Sequence, residues 1–239
     1  MAIDDAPRVG GGKDFGDRLT IRERRRYPDI SGDRQQYARL SEALEAMTAG
    51  GPEAEQVYAR MLKRLSDDEA FVTLLLKTHD AVEESAYLDR WALLQLAIDL
   101  RHPAAGKYLA KFVRRPIPEE RAKDTVHGVS TVTEEVILRT TAIEGLARLF
   151  RRDFDSSKAL LKVIGSSDYV AMRRAAWFAL VDGGQDDALK RARKLLEKDG
   201  FGWIADLRRI PVEQAEQQNP ELIYPDRKRR REIPPPFRE

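Results

Sequence analysis

Few residues in this chain have the types and spacing that chemistry needs. There are three histidines, His79, His102 and His127, and no cysteine. A metal site asks for three or four ligands brought together, often from short spacings. These three are scattered singly. His79-Asp80 falls at a predicted helix end, where a cap or a solvent contact is expected. His102-Pro103 falls at a turn and His127-Gly128 in a loop. The acidic runs Asp67-Asp68-Glu69 and Glu83-Glu84 stand at helix starts, where attraction to the positive end of the helix dipole accounts for them without catalysis. The Gly-rich "VGGGKDFGD" lacks phosphate-loop spacing, and no G-x-S-x-G occurs. The sequence therefore predicts no catalytic residue, no metal ligand and no cofactor, and hence no enzyme.

The remaining candidates are basic. "RERRRYPDI" places Arg24, Arg25 and Arg26 before Tyr27, and "IYPDRKRRREIPPPF" places Arg227, Lys228, Arg229, Arg230 and Arg231 after Tyr224. Residues 1–33 hold seven basic and seven acidic side chains. A nucleic-acid arm avoids that balance, since each acid near a phosphate weakens binding. The prolines before Phe237 favour an extended polyproline strand, which loses little entropy when it docks. Arg24 to Tyr27, and Tyr224, Arg227 to Arg231 and Phe237, are thus expected to be partner-binding residues. In this reading arginine orients the arm and the aromatic rings grip an acidic protein surface.

Elements must position such residues, and composition bounds them. The chain has 239 residues, 42% hydrophobic and 34% charged, with a net charge of +2 from 42 basic and 40 acidic groups. The apolar fraction suffices for a core. The high charge suits an elongated helical body with much surface. The near-neutral balance argues against a body devoted to nucleic acid. Absence of cysteine excludes disulfides and thiol chemistry and fits a cytoplasmic setting. No apolar run suggests a membrane span, and the first residues do not read as a secretory signal.

Helices follow from 3.6-residue periodicity and start signals. They are predicted over 34–48, from Pro52 through Leu65, from Glu69, over 84–100, 103–113, 131 to about 150, 156–164, 169–181 and 186–198, with a short one near 204–209. Ser66 with Glu69, and Thr131 with Glu134, read as capping boxes. Strand signals are nearly absent. The expected organisation is an N-terminal arm over 1–33, a helical domain over 34–210 and a Pro/Arg-rich tail over 211–239.

Internal similarity then points to stacking. "LRTTAIEGLARLF" and "MRRAAWFALVDGG" share an apolar-Arg-x-x-Ala-x-x-small-Leu pattern, with Arg139 and Arg173 separated by 34 residues. Arg90 holds a comparable place in "LDRWALLQLAIDL". Small residues at i+3 and i+6 let a partner helix approach closely. Over about Glu84 to Lys198 the chain resembles HEAT-type α-solenoids, in which stacked helix pairs bury one continuous core. The resemblance implies an all-α stack that binds other proteins, with Arg139, Arg173 and Arg174 in interface or inter-repeat contacts. Some relatives of that type are di-iron enzymes using His-Glu pairs; none of the three histidines here precedes a Glu.

The expected function is a non-enzymatic adaptor or complex subunit. The alternative is a nucleic-acid binder using Lys190, Arg191, Arg193 and Lys194 with the basic tail.

Overall fold

The computed structural model describes residue 30 and residues 34–121, 130–150 and 155–209. Among these the chain is all-α. In chain order the helices are α1 (Arg34–Thr48), α2 (Pro52–Leu65), α3 (Glu69–Ala81), α4 (Tyr87–Leu100), α5 (Pro103–Phe112), α6 (Thr131–Phe150), α7 (Ser157–Ser166), α8 (Val170–Asp182) and α9 (Asp186–Lys198), then a 3₁₀ turn at Gly202–Asp206.

The caps show how local chemistry sets these bounds. Gly51, with φ 97°, turns the chain into Pro52 at the first position of α2. That backbone region suits glycine, and the missing proline N–H costs nothing there. The expected Ser66–Glu69 box is replaced by a nearer cap. Asp68 accepts from the Phe71 N–H at 2.9 Å, and Ser66 instead closes α2. Arg39 and that cap hold the Asp68 carboxyl below its ordinary value, the Phe71 N–H contributing most. The second box also shifts by one residue. Ser130 Oγ, not Thr131, accepts from the Thr133 N–H at 3.1 Å. The carboxylate comes from outside the helix, because Glu120 accepts from the Thr131 N–H at 2.9 Å and from Ser130 Oγ.

Packing places α2, α4, α6 and α8 side by side in one row, and α1, α3, α5, α7 and α9 in another. Across the rows α1 packs on α2 and α4, α3 on α4, α5 on α6, and α7 and α9 on α8. Two apolar clusters result. The first joins α1 and α3 to Leu93, Leu96 and Leu100 of α4. The second joins Leu94 and Ile98 of α4 to α5 through α9. α4 therefore buries apolar residues toward both clusters, with Ala92, Leu93, Leu94, Leu96, Ala97, Ile98 and Leu100 all buried. α9 is the opposite case, burying only Ala188, Ala192 and Leu196 along one stripe.

The small residues work as their spacing implies. A Cβ on Gly145 of α6 would lie 2.5 Å from Ile98 Cγ1 of α4, so the two helices approach too closely for alanine. At the far end, Ile204 is fully buried and Ala205 nearly so, and the 3₁₀ turn closes the second cluster. Trp203 in the same turn stays half exposed.

Candidate functional site

All three pattern arginines are buried: Arg90 and Arg173 are 7% exposed and Arg139 is 3% exposed. Charged side chains are rarely buried unless paired. Arg173 is paired fully. Its Nε donates to the Ser167 carbonyl at 2.6 Å, its Nη1 to Asp199 at 2.7 Å, and its guanidinium lies 4.5 Å from the Phe201 ring centroid. Arg174, its neighbour, points to solvent.

Arg90 and Arg139 share a single acid. Glu135 of α6, 2% exposed, takes Arg90 Nη1 on Oε1. Arg139 Nη1 lies 2.9 Å from Glu135 Oε2, within ion-pair range. Its N–H is not aligned for a hydrogen bond, so Glu135 Oε2 and Arg139 Nε and Nη1 all lack a hydrogen-bond partner. Below them Phe112 of α5 stacks on the Arg139 guanidinium at 3.8 Å. Burial, opposed by Glu135 and helped by Arg90, draws the Arg139 pKa down to about 10, which leaves it charged at neutral pH.

These groups line a cavity of about 400 Å³ together with His79, Asp80, Glu84, Arg115, Pro116 and Pro118. His79 corrects an expectation. It is no cap or solvent contact; it is 3% exposed, with its ring edge-on to Phe112 at 5.1 Å. In the last turn of α3 Thr78 and His79 face inward while Asp80 and Ala81 stay exposed, so residue 79 is buried where sequence placed only a helix end. Tyr108 of α5 donates to Asp80 at 2.6 Å, and Arg115 grips both Asp80 oxygens at 2.7 and 3.3 Å. Burial raises the Asp80 carboxyl, but these hydrogen bonds outweigh it and hold it low. Burial likewise raises the Tyr108 hydroxyl, and Asp80 raises it further. Tyr108 has one proton and gives it to Asp80, so its oxygen accepts from His79 Nδ1 at 2.6 Å. His79 is then neutral with a bare Nε2. Burial first, then Arg90, depresses its pKa to about 3.

A second feature lies outside the cavity. Leu88 of α4 and Ile137 of α6 each precede a pattern arginine by two residues, and they are 65% and 41% exposed. Trp91 on α4 is 36% exposed, and Val170 at the start of α8 is 38% exposed. α4 and α6 are neighbours in one row, so Leu88 and Ile137 stand at matching places of the pattern, where α8 carries Ala171.

The arm residues expected to bind partners, Arg24, Arg25, Arg26 and Tyr27, and Tyr224, Arg227, Lys228, Arg229, Arg230, Arg231 and Phe237, lie outside the described residues, as does His127. On α9, Lys190 is 3.5 Å from Asp187 and Arg193 is 3.2 Å from Asp206, so acids dilute that basic face. Sequence reasoning missed Glu135 and the His79–Tyr108–Asp80 set. Only Glu135, one turn before Arg139, carried a signal, as an i,i+4 pair. Among the described residues no group of three or more possible metal-ligating side chains converges, and no helix is long and apolar enough to cross a membrane.

No family model, curated protein or solved structure matches this chain.

Proposed function

We propose that this chain is a non-enzymatic, HEAT-like helical-repeat protein that binds a protein partner along the outer side of α4, α6 and α8. The HEAT-like reading is supported by the two helix rows and by three buried arginines at matching positions. The observation that carries the binding reading is the paired exposure of Leu88 and Ile137 at one register on adjacent helices, with Trp91 beside them. Single exposed apolar residues are ordinary, whereas a set aligned across neighbouring helices fits an interface. Tryptophan is enriched where interfaces gain most of their energy. The terminal arms, with arginines for orientation and rings for grip, add contacts to the same partner.

The test is affinity purification from the source organism with nuclease present. The wild-type chain is compared with Leu88→Ser/Ile137→Ser and with a chain shortened to residues 34–210. One or two proteins should copurify with the wild type and be lost from the double variant, whose helical content and melting stay unchanged. Loss from the shortened chain alone would assign the binding to the arms. If nothing survives nuclease and nucleic acid is the main species without it, the adaptor reading fails and the basic clusters become the site.

A further inference from the structure

Most of the buried side-chain atoms lacking a hydrogen-bond partner among the described residues sit on three residues of the one cavity: His79 Nε2, Glu135 Oε2, and Arg139 Nε and Nη1. Leaving buried polar atoms unpaired is costly, more so for a charged group. A ligand that meets them recovers that cost. Their chemistry narrows what it must be.

Charge comes first. Asp80 is neutralised by Arg115 and Glu84 by Arg121. Glu135 alone faces both Arg90 and Arg139. The two buried guanidiniums thus meet one buried carboxylate, with the partly buried Glu134 also near Arg90, so the cavity takes at most a monoanion. A phosphate dianion would set a second charge against the carboxylates of Glu135, Asp80 and Glu84 that line the same space. Hydrogen bonding comes second. Arg139 offers only donors, and His79 Nε2 is left as an acceptor because Nδ1 gives its proton to Tyr108. Both residues rest on the same Phe112 ring. A plain carboxylate satisfies Arg139 but not His79.

We propose that the cavity among α3, α4, α5 and α6 binds a small carboxylate that carries a hydrogen-bond donor on the adjacent carbon, the carboxylate pairing with Arg139 and the donor facing His79 Nε2. Two sources share this chemistry: a free 2-hydroxy acid, and the C-terminus of a peptide with its last amide N–H. The proposal does not rest on the adaptor reading, which concerns the outer side of the helices.

The test titrates the full chain at low salt with glycolate, N-acetylglycine, acetate and inorganic phosphate. Affinity is read by calorimetry and the arginine Nε–H signals by NMR. Glycolate or N-acetylglycine should shift the Arg139 Nε–H signal saturably and bind about tenfold or more tighter than acetate, the worth of one buried hydrogen bond. Arg139→Lys should weaken binding at least about tenfold, since a point charge replaces the planar fork. His79→Phe should erase the preference over acetate. The wild-type signal, assigned through bonds, decides the matter even if a variant does not fold. Tighter binding of N-acetylglycine assigns the site to a peptide C-terminus, and tighter binding of glycolate assigns it to a free hydroxy acid. No saturable shift, equal binding of acetate, or phosphate binding as tightly as the best acid would each overturn the proposal. In the first case ordered water fills the space.

Discussion

Arg139 and Arg173 occupy the same place in one sequence pattern, and the molecule treats them differently. Arg173 meets a carbonyl, a carboxylate and a ring, and its acid, Asp199, is 28% exposed and so keeps part of its hydration. Arg139 is more deeply buried, meets a ring, and competes with Arg90 for one carboxylate. The first is a tie between α8 and the turn after α9. The second is a surplus of buried positive charge beside an open cavity. A shared pattern thus fixes where an arginine points, while its neighbours decide whether it is spent on structure or left for a ligand.

The sharpest way to test that contrast is to remove the acids. Glu135→Gln leaves two buried guanidiniums facing a neutral amide, and should cost about 3–5 kcal/mol in urea unfolding. A loss below about 1 kcal/mol would mean that Arg90 and Arg139 find other partners and that no surplus exists.

The next effect is a pH response confined to the cavity. His79 titrates near 3 when folded and near 6.5 when unfolded, so the unfolded chain takes up more protons as pH falls between those values. Its contribution to stability is complete above about pH 6.5 and is lost progressively down to about pH 3. Between pH 7 and pH 5 the loss should be about 2 kcal/mol. Urea midpoints at both pH values, compared between wild type and His79→Phe, isolate it. Asp80, Arg115 and Arg139 all stay charged in that interval. An equal pH response in both proteins would place the bare histidine in solvent.

Close approach gives a third contrast. Gly145 in α6 and Ala179 in α8 hold the same position of the pattern, and at Gly145 a Cβ would meet Ile98 at 2.5 Å. Gly145→Ala should destabilise by about 1–2 kcal/mol despite the better helix propensity of alanine, because β-branched Ile98 cannot swing clear. A stabilised variant would show that α4 and α6 separate freely. The smallest effect belongs to the satisfied junction. Asp199→Asn should cost about 1 kcal/mol, reduced by the partial exposure of the pair. A loss equal to that of Glu135→Gln would erase the distinction between the two arginines.

Much of this was readable beforehand, for a local reason. Helix bounds over 34–48 and 186–198 coincide with expectation because periodicity, a glycine pair and capping acids act within a few residues. The pattern arginines and the small residues after them also announced a packed helix face. Cap identities slipped by one or two residues, because Asp68 and Ser130 compete with Ser66 and Thr131 to start the helix and only backbone geometry chooses. The arm residues singled out for partner binding lie outside the described residues.

By itself the sequence determined an all-α body, the absence of thiol chemistry, and which helix faces are apolar, since these depend on composition and on contacts within a turn or two. Tertiary structure alone decided that Arg90 meets Glu135 across 45 residues and that His79 meets Tyr108 across 29. No spacing rule reaches that far. Helices stacked in two rows bring distant turns together, and burial then turns ordinary charges into a site.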